Sequence, residues 1–140
     1  MRLTNTTDIP NELVREFIRF VKPSGLKGSF DVSLGNRAST CFTGRAWPQR
    51  MRIFVGVGNR DRLPAETAHP AGGYLPTPAV TRHERLLMVL AHELRHLWQG
   101  QTAKGKRRRA GMVWGARGKF SERDADAYAL RKLRHWRRAG

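Results

Sequence analysis

A chain of 140 residues with 39% hydrophobic content is the size of one domain with a modest core. Its 27 Lys+Arg against 11 Asp+Glu leave a net charge of +16, which points to polyanion partners such as nucleic acid or an anionic surface. The single cysteine, Cys41, excludes an internal disulfide framework and a cysteine-built zinc site, and the longest apolar run, Leu86 to Ala91, is far too short for a bilayer-spanning helix.

Taken in order, Met1 to Asn11 is polar and Thr-rich and lacks the apolar core of a signal peptide. With the lone cysteine this sets the expectation of a soluble, cytoplasmic protein without a transmembrane segment. From Asn11 to Val21, Leu13, Val14, Phe17, Ile18 and Val21 recur at helical spacing; Asn11 is the expected N-cap, and Pro23 with Gly25 ends the run. Between Gly28 and Gly58 the period changes to two. Phe30, Val32 and Leu34 alternate, Gly35-Asn36 supplies a turn, Thr40, Phe42 and Ala46 follow, and Ile53, Val55 and Val57 alternate again. Three short strands in an antiparallel meander are expected, with Cys41 a small buried residue. The last strand, carrying Arg52 and Gly56, is the expected edge, where an extended peptide can add as a further strand. Asn59 to Ala79, rich in proline and glycine, reads as a loop.

Thr81 and Glu84 form a capping box, so a helix begins there and runs to about Trp98, with Gly100 as its stop. Leu86, Leu87, Leu90, Leu94, Leu97 and Trp98 make one apolar arc, and His92 and His96 fall on the opposite side. Gln101 to Lys119 is a basic, glycine-punctuated connection in which Lys104, Lys106, Arg107, Arg108 and Arg109 are candidate nucleic-acid contacts. A last helix spans Ser121 to Trp136 and packs through Ala125, Tyr128, Ala129, Leu133 and Trp136.

The chemistry centres on His92-Glu93-Leu94-Arg95-His96. On a helix, residues four apart share a face, so His92 and His96 can direct two imidazoles at one ion, with Glu93 rotated about 100° to its edge. Three fixed letters also arise by chance in roughly one such chain in a hundred. The stronger signal is a cluster of three acids, Glu122, Asp124 and Asp126, in an acid-poor chain. Like charges one turn apart destabilise a helix unless something neutralises them. A dication and a histidine N–H would do so, with Glu122 as a third ligand and Asp126 accepting from the free nitrogen of His92. The plainer alternative is that these acids offset Arg123, Arg131 and the helix dipole.

These two segments together, H-E-x-x-H at 92–96 and Glu122-Arg-Asp-Ala-Asp126-Ala-Tyr-Ala at 122–129, resemble the gluzincin pattern H-E-x-x-H … E-x-x-A-D. The likeness is greatest to CAAX-processing and HtpX-like peptidases and to the minigluzincins. The resemblance implies an α+β, minimal zincin-like domain over 1–140: an N-terminal helix, a small three-stranded, mainly antiparallel sheet, an active-site helix and a C-terminal glutamate helix. It implies one Zn2+ per chain held by His92, His96 and Glu122, with Asp126 orienting His92. It further implies a metalloendopeptidase that hydrolyses peptide bonds of a polypeptide substrate with a zinc-bound water, Glu93 moving its proton. Tyr74, Tyr128 and His135 are candidate donors to the developing oxyanion. The transmembrane helices of the membrane peptidases have no counterpart here, so their substrates are not carried over. Alternative readings are a basic, nucleic-acid-associated zincin or an inactive DNA-binding scaffold. A zincin of that kind would resemble SprT-like proteases, with His135 as third histidine, or ImmA/IrrE-like regulatory proteases, whose E-x-x-A-x-x-F/Y-A pattern fits 122–129.

Overall fold

The computed structural model describes residues 1–66, 75–102 and 119–139. In chain order they form β1 (Arg2–Asn5), α1 (Asn11–Val21), β2 (Asp31–Asn36), β3 (Thr43–Trp47), a short 3-10 helix (Pro48–Arg50), β4 (Arg52–Val57), β5 (Arg62–Leu63), β6 (Val80–Thr81), α2 (Arg82–Gln101) and α3 (Lys119–Ala139). The α+β class is as expected; the sheet differs in detail. It has four strands in the order β1-β2-β4-β3, with β1 and β2 parallel, β2 and β4 parallel, and only β3 antiparallel to β4. A period of two says which residues face the core but not which way a strand runs. Here α1 supplies the crossover that parallel neighbours β1 and β2 require. Gly35 and Asn36 are the end of β2 rather than a turn.

The edge also moves. β4 lies inside the sheet, with Ile53, Val55 and Val57 fully buried, and its Arg52 and Gly56 point to the opposite face rather than to a free border. The edge beside the helices is β3. Cys41, just before β3, is exposed rather than buried.

The inner face of the sheet, Val32, Leu34, Ile53, Val55 and Val57, packs into one core with Val14, Phe17, Ile18 and Val21 of α1 and with Leu86, Leu87, Leu90, Leu94 and Leu97 of α2. Each such side chain contributes roughly 1.5–3 kcal/mol on full burial. α2 is central, contacted by the sheet, α1 and α3. Its side opposite the leucines is therefore covered by β3 and α3: Glu93 is 5% exposed and His96 2%. Gly100 does not stop α2; a Cβ there would lie 2.7 Å from Pro48 Cβ, so glycine lets the 3-10 helix close on it.

The capping box forms as read. Thr81 Oγ1 accepts from the Glu84 backbone N–H at 3.1 Å, and Glu84 Oε1 accepts from the Thr81 N–H at 2.9 Å. α1 lacks the expected Asn11 cap: Pro10 takes the cap position, and Asn11 Oδ1 instead accepts from Asn5 Nδ2 at 2.8 Å. α2 and α3 run antiparallel, as their partners show. Gln99 Nε2 donates to Ser121 O at 2.9 Å near one end, and Arg137 Nε donates to Glu84 Oε2 at 2.7 Å at the other. Among the described residues no helix is long and apolar enough to cross a membrane.

Candidate metal centre

His92, Glu93 and His96 occupy the middle of α2, and Glu122 and Asp126 lie in the first turns of α3 facing them. One turn of spacing on each helix sets two imidazoles against two carboxylates. His92 Nε2 lies 2.9 Å from Glu122 Oε2, His96 Nε2 lies 3.1 Å from Glu122 Oε1, and the two Nε2 atoms are 3.2 Å apart.

Each histidine is oriented through its other nitrogen. His92 Nδ1 donates to Asp126 Oδ1 at 2.7 Å, and Asp126 Oδ2 accepts from the Leu75 backbone N–H at 2.9 Å. His96 Nδ1 meets Gln99 Oε1 at 2.8 Å. The Gln99 amide has only one sensible orientation, because its Nε2 faces two acceptors, Ser121 O and Asp124 Oδ2, both at 2.9 Å. Its oxygen therefore receives the His96 Nδ1 hydrogen. Asp124 is held in turn by Arg95 through paired bonds of 2.8 and 3.1 Å, and the Arg95 guanidinium lies 3.8 Å from the Trp98 ring centroid.

With both Nδ1 hydrogens committed, both neutral Nε2 atoms present lone pairs to the Glu122 carboxylate. Three lone-pair donors converging in a largely buried place require a cation between them, either a proton or a metal ion. His92, His96 and Glu122 are close enough to bind one, with ligand atoms all within 4.8 Å of one another. The ion-free electrostatics carry the same demand. Desolvation opposes charge on His92, yet hydrogen bonds to Asp126 and Glu122 outweigh it and hold its pKa up at about 10. Burial alone would raise Glu122, but its two histidine partners pull it down to about 2.

Glu93 differs from its neighbours. Burial pushes its carboxyl upward, against the opposing pull of His92 and His96. It lines a cavity of about 630 Å³ bounded by His92, His96, Glu122 and Asp126 on one side and by the β3 edge on the other. Gly44 of β3 is what lets that edge approach: a Cβ there would lie 2.7 Å from Glu93 Oε2 and 2.8 Å from Val89 Cγ1.

The remaining sequence candidates do not gather here. Tyr128 is buried with its hydroxyl donating to Val21 O at 2.5 Å, and burial raises its pKa to about 12. It packs against Arg95 rather than lining the cavity. His135 is exposed about 20 Å along α3 from Glu122 at 1.5 Å per residue, so it is neither an oxyanion donor nor a third histidine of this cluster. Tyr74, Lys104, Lys106, Arg107, Arg108 and Arg109 lie outside the described residues. Sequence reasoning missed Gln99 and Gly44. Gln99 had a usable signal, lying three residues after His96 on the same helix face; Gly44 had none, since its role depends on which strand borders α2. No family model, curated protein or solved structure matches the chain.

Proposed function

We propose that the chain is a zinc-dependent metallopeptidase of gluzincin type, with His92, His96 and Glu122 holding the ion. The observation that carries the reading is the convergence of three lone-pair donors whose other polar atoms are already committed. Zinc bonds of about 2.0–2.1 Å at tetrahedral angles separate two nitrogen ligands by about 3.3 Å. The two histidine Nε2 atoms are 3.2 Å apart. Two imidazoles and one carboxylate are also a donor set that zinc favours and that leaves a position open to water or substrate.

Zinc bound there would supply a Lewis acid that acidifies a water and polarises a peptide carbonyl. The chain's own residues do the rest. Asp126 and Gln99 hold each histidine hydrogen on Nδ1, keeping Nε2 directed inward. Glu93, raised by burial and open to the cavity, takes a proton from the attacking water on a carboxylate oxygen and returns it to the leaving amine. The leucine face of α2 and the covering β3 edge restrict bulk water to the cavity side.

The test is elemental analysis of chelator-stripped and zinc-reloaded protein, together with hydrolysis of an unfolded polypeptide. Wild type should retain one zinc per chain. His92→Ala, His96→Ala and Glu122→Ala should each lose it, and Glu93→Gln should keep zinc and lose hydrolysis. Cleavage that survives Glu93→Gln unchanged, or a protein that retains no zinc, ends the proposal.

A further inference from the structure

The face of the sheet turned away from the helices has its own composition. In register, its rows run Arg2, Asp31, Arg52, Trp47 and then Thr4, Ser33, Phe54, Arg45. These are the alternate positions to the buried Val32, Leu34, Ile53 and Val55, so they share the outer surface. Gly35 and Gly56 continue the surface, and they leave room for larger neighbours. A Cβ at Gly35 would meet the Phe54 ring at 3.5 Å, and one at Gly56 would meet Arg37 Cδ at 2.7 Å. Arg37 therefore lies across the same face.

Four arginines thus share this face with one acid. Some arginines elsewhere are paired: Arg82 with Asp8, Arg95 with Asp124 and Arg137 with Glu84. Among the described residues Arg2, Arg37, Arg45 and Arg52 have no carboxylate within 4.0 Å, and Arg52 Nε has no hydrogen-bond partner. Two of them flank an aromatic ring, with Arg45 Cζ 5.3 Å and Arg52 Cζ 4.7 Å from the Trp47 centroid. Trp47 and Phe54 are both only partly buried, and they occupy diagonal positions on adjacent strands.

We infer that this sheet face binds single-stranded nucleic acid. Guanidinium groups without protein counter-ions match a phosphate backbone, and partly exposed aromatic rings match unpaired bases, which stack on any aromatic face. A four-stranded sheet with aromatics on neighbouring strands is a surface on which bases can lie flat. The inference does not rest on the proposed function, although Arg45 and Trp47, on the β3 edge, also line the cavity beside the candidate metal centre.

The test is fluorescence anisotropy of the full chain with labelled oligothymidylate and oligouridylate of equal length, at low and near-physiological salt. Both strands should bind; equal affinity supports the shared phosphate and base chemistry, and preference for one adds a sugar or base contact on the same face. Trp47→Leu should weaken binding about tenfold or more with the salt slope unchanged. Arg45→Gln should weaken it and lower the salt slope by about one, whereas Arg19→Gln, an exposed charge on α1, should leave it unaltered. Circular dichroism and thermal melting check that each variant folds, and Phe54→Leu replaces Trp47→Leu if that one does not. The inference is overturned if the face variants bind like wild type, if duplex DNA of equal phosphate count binds as tightly, if polyglutamate displaces the probe at equal charge, or if nothing binds.

Discussion

The two histidines of the candidate centre stand one turn apart on the same helix and are held in opposite ways. On the His92 side the partner is a charged carboxylate, Asp126, itself steadied by a backbone N–H from Leu75, and the histidine is still partly exposed. On the His96 side the partner is a neutral amide, Gln99, 3% exposed and fixed through Asp124 to Arg95. A carboxylate strengthens the histidine as a ligand, because its negative charge favours positive character on the ring. An amide adds no charge but dictates which nitrogen carries hydrogen, and it does so where a wrong choice would leave buried groups unpaired. With an ion bound, one side would therefore tune affinity and the other would secure geometry.

Four measurements bear on this contrast, and the largest effect belongs to neither side. Glu93 lies between them with its carboxylate open to the cavity, so Glu93→Gln should lower peptide hydrolysis by about 10²–10⁴-fold while zinc content and thermal stability stay at wild-type values. Loss of zinc in that variant would mean that Glu93 is part of the histidine networks after all. Next, Asp126→Asn and Gln99→Met should each weaken zinc by about 10–100-fold in competition with a chelator, with Asp126→Asn the greater. In thermal or denaturant unfolding of the stripped protein the order should reverse. Gln99→Met removes the amide's hydrogen bonds to Ser121 O and Asp124 in a buried place, at a cost of about 1–3 kcal/mol. If both variants lose equal stability, the division between tuning and geometry fails.

Gly44→Ala addresses the wall facing both histidines. Its added Cβ would lie within 3 Å of Glu93 and Val89, so the variant should lose about 1–3 kcal/mol of stability and hydrolyse more slowly, with zinc affinity unchanged. An unaltered melting temperature and rate would show that β3 can simply withdraw. The smallest effect comes from an exposed pair away from both sides. Hydrogen bonding to Arg82 holds Asp8 near a pKa of about 2 against an ordinary 3.8. A depressed carboxylate stabilises the fold above its unfolded pKa and loses that contribution as pH falls towards the folded value. The Asp8→Asn variant should therefore match wild type at the acid end of the window from about 3.8 down to about 2 and fall slightly behind it above that window. A difference that persists unchanged through the window would place the origin elsewhere.

Local signals in the sequence were legible where one element decides the outcome. The apolar spacing of Leu13 to Val21 delimits α1 with the observed ends, and Thr81 with Glu84 marks the start of α2 because the capping box is closed within one turn. The acids of 122–126 were legible as partners of His92 and His96 because spacing on each helix fixes which side chains share a face. What depends on assembly was not. β1 contributes Leu3 and the polar Asn5 to the inner side, so its parallel pairing with β2 leaves almost no hydrophobic pattern. Arg52 and Gly56 mimic an edge when read along one strand; only the placement of β3 outside β4 shows that they belong to the outer face. Gln99 looked like one more polar residue near a helix end until Ser121 and Asp124 arrived from α3 to fix its amide.

The ion pair of Arg137 with Glu84 settles an ambiguity that the acidic segment creates. Glu122 and Asp126 are one turn apart on α3, so two alignments of α3 against α2, differing by a slip of about 5.4 Å, would each offer a carboxylate to the same pair of imidazoles. Helices do ratchet by whole turns when both positions are tolerable. Here such a slip would carry Arg137 a full turn past Glu84, breaking bonds of 2.7 and 3.0 Å, and it would drag Ser121 away from Gln99. A contact at the far end of the helix pair thus acts as an indexing pin: it selects one of two near-equivalent alignments and so distinguishes the carboxylate that faces both Nε2 atoms from the one that stands behind His92.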